Sequence, residues 1–96
     1  MAVLSESAIQ QKLRSIPEWN LEGGEIVRIY TFADFIHSLE FVNLVGKKAE
    51  EMGHHPDVDI RYNKVRLALI SHDAGGLTEA DFELAAASDS AFRPAK

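Results

Sequence analysis

The chain contains no cysteine, which excludes a disulfide scaffold, a thiolate nucleophile and any cysteine-ligated zinc site. It has no apolar run near the ~20 residues needed to span a bilayer. Its opening stretch, MAVLSESAIQQKLRS, is too polar to read as a secretory leader, so a cytoplasmic protein is the expectation. Positive charge is also short: ten Lys and Arg stand against fifteen Asp and Glu, for a net charge of -5. Nucleic acids and anionic membranes need a cationic face, so neither is expected as a direct partner. Several chemical signatures are missing as well. There is no HExxH and no His-x-His pair for a metal, and no G-x-S-x-G elbow for a serine nucleophile. The glycines of AGGLT (residues 74–78) lack the Lys-Ser/Thr that would make them a phosphate cradle, and read as a turn.

What is present is an ordinary globular composition, 46% hydrophobic and 26% charged over 96 residues. A chain this long folds as one domain, expected to span 1–96, and buries ~60–70% of the surface its unfolded form exposes. No repeat, low-complexity tract or interior linker interrupts it. Residues 5–15 read as a short helix ended by Pro17. Residues 19–21 and 26–32 read as strands joined by EGGE, whose glycines permit positive φ. Residues 33–52 carry Phe35, Leu39, Val42, Val45, Ala49 and Met52 at steps of three and four, the stripe of an amphipathic helix. Phe41 and Leu44 fall outside that stripe and widen the apolar surface. Gly53 is placed to end the helix in a left-handed turn.

A second hairpin follows. With Tyr62-Asn63 as its turn, Ile60 faces Val65, Val58 faces Leu67 and Asp59 faces Arg66, so apolar meets apolar and acid meets base. Arg61 opposite Lys64 is the one unfavourable pair. The last helix starts near Thr78, an N-cap with Asp81 three residues on. The order helix, two strands, helix, two strands, helix gives an α+β fold: a four-stranded antiparallel sheet with three helices packed on one face.

Extending that hairpin register backward sets the His54-His55 corner beside Ile70, Ser71 and His72. Three of the chain's four histidines thus converge, with Glu50 and Asp73 nearby, while His37 lies on the opposite side of the long helix. A lone histidine is commonly a satisfied structural residue, and imidazole also suits zinc or iron. Adjacent histidines rarely ligate one ion well, so no metal is expected. General acid–base chemistry by groups titrating near neutral pH is the remaining reading.

The ordered set Glu50-x-x-x-His54-His55-Pro56, Tyr62, His72 and Asp81 resembles the pterin-4a-carbinolamine dehydratase family. TFADF at the start of the long helix, YNKV at the hairpin turn and SHDAGGLTEADFELA entering the last helix are similar to that family too. The resemblance runs from about Trp19 to Ala85; Gly53 departs from relatives that carry an acidic residue there. It implies a lyase that removes water from a 4a-hydroxytetrahydropterin to give the quinonoid dihydropterin, recycling the pterin of aromatic amino acid hydroxylases. No electrons move, so no cofactor is implied. By the same resemblance, His54, His55 and His72 are the catalytic residues. His54 and His72 would serve the departing hydroxyl, and His55 would bind the pterin or take its proton. Trp19, Glu50, Ser71, Asp73 and Asp81 would contact the substrate or orient an imidazole, although a core tryptophan and a surface glutamate are close rivals for Trp19 and Glu50, and Asp81 is equally well explained as a helix cap. Family members also form dimers or tetramers, and animal members bind a homeodomain transcription factor. The sequence therefore carries two expectations: a homo-oligomer built through the 33–52 helix, and, as an alternative function, a protein-interaction module.

Overall fold

The computed structural model of the protein describes residues 2–92. Helix α1 (Glu6–Leu13) begins at Ser5, whose hydroxyl oxygen accepts the Ala8 N–H at 3.1 Å. Strands β1 (Asn20–Glu22) and β2 (Glu25–Thr31) follow. They are joined by Gly23 and Gly24 at φ of 56° and 84°, values that a tight two-residue hairpin requires and glycine adopts freely. Helix α2 (Phe35–Met52) starts behind Asp34, and β3 (Asp57–Arg61), β4 (Lys64–Leu69) and α3 (Glu79–Ala91) complete the order.

The sheet runs β1-β2-β4-β3 and every pairing is antiparallel. The two hairpins meet through β2 and β4, with Ile26 opposite Leu69 and Tyr30 opposite Val65. The β3–β4 register is the one that the sequence implies: Ile60 opposite Val65, Val58 opposite Leu67, Asp59 opposite Arg66. Arg61 does stand opposite Lys64. Its guanidinium turns to Asp59 on its own strand, Nε to Oδ1 2.9 Å, which raises the Arg61 pKa and offsets the like-charge pair.

One face of the sheet carries the helices. Ile26, Tyr30, Val65, Leu67 and Leu69 of the strands form a buried core with Val45 and Ala49 of α2 and Leu84 and Ala85 of α3. The other face exposes Ile29, Arg61, Lys64 and Arg66, with Val27 and Ala68 buried between them. Helix α1 is tied to the start of α3 by Lys12–Glu79 at 2.8 Å, and the segments that lead into the two helices are joined by the Leu4 N–H to the Leu77 carbonyl at 2.8 Å.

Helix α2 is rotated from the stripe expected of it. The buried positions are Ser38, Phe41, Val45 and Ala49, whereas Phe35 is 44% exposed. Phe41, expected outside the stripe, is core. Both sets recur at three and four residues, so periodicity cannot choose between them. The aromatic partners decide: Phe41 packs 4.5 Å from Tyr30 and 5.1 Å from Phe32, centroid to centroid, and burying such a ring contributes ~1.5–3 kcal/mol. Leu44 is left 53% exposed, as expected.

A polar cluster sits at the far end of α3. Asp89 accepts from Trp19 Nε1 at 3.1 Å, Arg28 Nη1 at 2.7 Å and the Tyr30 hydroxyl at 2.5 Å. The Arg28 guanidinium also lies 4.2 Å from the centre of the Tyr30 ring. Burial, reinforced by Asp89, pushes the Tyr30 hydroxyl far above its ordinary pKa and keeps it a donor.

Candidate active site

Backbone geometry delivers the histidines. Gly53 ends α2 at φ 63°, ψ 32°. The His54 N–H returns to the Ala49 carbonyl (3.1 Å) and the Gly53 N–H to that of Glu50 (3.2 Å), a Schellman ending. His54 therefore leaves the helix in a fixed direction, and β3 starts three residues later. On the facing strand, the chain runs from Leu69 into a turn closed by Ser71 against Gly76, with Gly75 at φ 80°. Asp57 pairs with Ala68, so continuing the ladder brings His54 and His55 against Ile70 and Ser71. Between them lies a cleft of about 430 Å³ whose lining includes all three histidines, Ser71 and Asp73. That volume is within the range of small-ligand sites.

The two adjacent histidines face opposite ways. His54 turns inward: its Nε2 is 2.5 Å from Oδ1 of Asp81, a carboxylate with no solvent exposure at all. The other Asp81 oxygen accepts the Ser71 hydroxyl and the Thr78 N–H, each at 2.9 Å. His55 turns outward and pairs through Nε2 with Oε2 of Glu50, both groups largely exposed. An ionised carboxylate only accepts, so Nε2 carries the proton in both rings. Nδ1 is then the lone-pair nitrogen when the ring is neutral and the acid when it is charged. His72 is exposed on the cleft, and its ring takes no hydrogen bond among the described residues. The cleft thus holds two carboxylate-backed imidazoles and one unbacked one, a set able both to give and to take protons.

Of the residues expected here, Glu50, Ser71, Asp73 and Asp81 are on the cleft or directly behind it. Asp81 is both things the sequence left open, an imidazole partner and a cap: it forms the capping box of α3 with Thr78. Trp19 is elsewhere. It is buried with its indole on Asp89 and does not line the cleft. His37 is exposed at the other end of α2, bound to Asp34 at 2.6 Å, about 24 Å from Gly53 along the helix axis. Sequence reading named Thr78 as a cap but missed its second link, a 2.8 Å contact between its hydroxyl and that of Ser71. Arg28 and Asp89 were also missed. The available signal was a charged residue at an inward position between Ile26 and Tyr30, where it needs a counter-charge. Among the described residues, no group of three or more His, Asp or Glu is arranged to hold a metal ion.

The model of the family described as pterin 4 alpha carbinolamine dehydratase matches residues 2–91. A protein of Acidobacterium capsulatum named "Putative pterin-4-alpha-carbinolamine dehydratase" is 59% identical over 86 residues, covering 90% of this chain and 94% of that one. One of the same name from Chloroflexus aurantiacus is 57% identical over 89 residues, covering 93% and 96%. Among solved structures, a transcriptional coactivator/pterin dehydratase from Brucella melitensis superposes with a TM-score of 0.90 at 30% identity, covering 93% of this chain and 97% of that chain. A pterin dehydratase-like protein identified as a RuBisCO assembly factor in the alpha-carboxysome shares the fold, with a TM-score of 0.66 at 22% identity, over 77% of this chain and 88% of that one.

Proposed function

The chain belongs to the pterin 4 alpha carbinolamine dehydratase family, and from that premise we propose that it removes water from a 4a-hydroxytetrahydropterin. The observation that carries this reading is the convergence of His54, His55 and His72 on one cleft, two of them backed by carboxylates from different helices. The reaction breaks the C4a–O bond and the N5–H bond, forms the C4a–N5 double bond and releases water, with no change of oxidation state. Protonating the hydroxyl makes it a better leaving group, and taking the N5 proton supplies the electron pair. Each assistance is typically worth ~10²–10⁴-fold. His54, linked to Ser71 through Asp81, and His72, next to Ser71 in the chain, serve the hydroxyl. His55, oriented by Glu50, takes the nitrogen proton. Asp73, at the cleft margin, contacts the polar edge of the pterin.

The active form is a homo-oligomer assembled through α2, whose Ile36 and Leu44 side chains are left in water in the single chain. Covering each such group gains ~1.5–3 kcal/mol. Purified protein, treated with a chelator and given freshly generated 4a-hydroxytetrahydropterin, tests the reading by the absorbance of the quinonoid product. Acceleration that survives chelation is expected. A folded protein that leaves the spontaneous rate unchanged overturns the proposal, and activity restored by one metal ion per chain overturns its metal-free mechanism.

A further inference from the structure

Ser71 differs from the other polar residues of the cleft in being buried, and in meeting two groups that have no solvent exposure or nearly none, Asp81 and Thr78. A hydroxyl has a single proton. The Asp81 carboxylate can only accept, so at 2.9 Å the Ser71 proton points to Asp81 Oδ2. The 2.8 Å contact with Thr78 must then run the other way, from the Thr78 hydroxyl to Ser71 Oγ. Thr78 in turn accepts the backbone N–H of Asp81 through the capping box. The network is therefore directional. Thr78 donates to Ser71, Ser71 donates to one oxygen of Asp81, and His54 donates to the other. Ser71 has no proton left for a ligand, although its position on the cleft suggested a substrate contact.

We infer that Ser71 is a positioning residue, which fixes the plane of the Asp81 carboxylate so that His54 is held as its Nε2–H tautomer with Nδ1 toward the cleft. Without Ser71, Oδ2 of Asp81 keeps only the Thr78 N–H at the start of its own helix, and no group on the sheet side fixes the carboxylate plane. Oδ2 of Asp81 is held by two donors, the Thr78 N–H within its own helix and the Ser71 hydroxyl from the segment after β4. Ser71 thus ties the carboxylate to the sheet side of the cleft, while His54 comes from the end of α2. Hydrogen-bond chains of this kind strengthen one another in a low-dielectric setting. A misdirected imidazole still lets substrate bind but transfers its proton badly, so the effect falls on kcat.

For its kinetic arm the inference rests on the dehydratase reading. Its structural arm does not. Histidine ¹⁵N spectra of the whole protein, recorded where the rings are neutral, report the His54 tautomer without substrate. The wild type is expected to show one tautomer and Ser71→Ala a mixture, with Ser71→Thr restoring the single form. In the dehydration assay Ser71→Ala lowers kcat about tenfold and leaves KM within about twofold, as expected for loss of an interaction that matters in the transition state. Should Ser71→Ala not fold, Ser71→Cys, a weak donor of similar size, gives the same comparison. An unchanged tautomer in the alanine variant overturns the inference. So does a rise in KM at constant kcat, which marks direct substrate contact. A tautomer that responds to Ser71 in a protein with no dehydratase activity sustains the linkage and overturns the functional reading instead.

Discussion

Asp81 divides its two carboxylate oxygens between the chemistry and the fold: Oδ1 lies 2.5 Å from His54 Nε2, and Oδ2 accepts the Thr78 N–H that begins α3. Catalytic geometry and helix initiation therefore share one side chain, and substitutions can separate the two. Asp81→Asn keeps the volume but sets an NH₂ group against either His54 or the donors on the other side. It is expected to lower kcat by about a hundredfold, the range of a mispositioned acid–base group. Asp81→Ala additionally removes the cap and orphans buried donors, at a cost of about 2–4 kcal/mol. Steady-state kinetics and urea midpoints of the two variants check this. Equal activity losses with no stability difference would contradict it.

His72 and His37 offer a contrast within one residue type. His72 is on the cleft and His37 is at the opposite end of α2. His72→Ala is expected to reduce turnover at least about tenfold with the fold intact, and His37→Ala to leave turnover unchanged. Circular dichroism alongside the assay separates lost chemistry from lost structure. Full activity in His72→Ala would remove the unbacked imidazole from the mechanism.

His37 should instead appear in the pH dependence of stability. Its hydrogen bond to Asp34 raises its pKa, and the His37 N–H, first among several donors, lowers that of Asp34. A raised histidine stabilises the fold fully below its unfolded value of about 6.5 and loses that contribution as pH climbs through the folded value. A lowered carboxylate does the reverse, losing its contribution as pH falls through its folded value. The gap in urea midpoint between wild type and His37→Ala should therefore be wider near about pH 5.5 than near about pH 9. Both groups are exposed, so the gap is small. A gap that widens toward alkaline pH would reverse the assignment.

Assembly is tested through Leu44. It lies in a groove with Ala87, Ser90 and Ala91 of α3 and touches no part of the cleft. Light scattering of the wild type is expected to give a multiple of the 10.7 kDa chain mass, and Leu44→Glu to bring it down to one chain while dehydration continues. Phe41→Glu, which the helical stripe would have suggested, instead puts a charge in the core and would unfold the protein. A monomeric wild type ends the proposal.

The contrast between Leu44 and Phe41 shows where sequence was enough. The β3–β4 hairpin was legible because its charges and apolar side chains agree on a single register, and a slip of one residue would invert every side chain. The histidine corner followed from extending that ladder by three residues. The rotation of α2 was not legible, because two stripes satisfy the same period and the choice lies with Tyr30 and Phe32 in another element. The resemblance offered Trp19 to the substrate, with the core as its rival place. It rests in the core because Asp89, from the far end of the chain, satisfies its indole N–H. Such a pairing has no local signature. The Ser71–Asp81 contact is equally non-local, although Thr78 and Asp81 announced their half of it as a capping box.

The Trp19–Asp89 bond spans 70 residues, and its consequence is one of timing. Closing so long a loop has an entropic cost that nearby contacts do not share, so pairings of this kind form late in folding. The indole cannot acquire its partner until α3 docks, and the same helix carries Asp81 into the space behind His54. Trp19 is the chain's single tryptophan. Its fluorescence in a refolding experiment is therefore expected to clock the completion of a cleft in which it takes no part, the signal of the buried indole and the first appearance of an oriented His54 falling in the same kinetic phase.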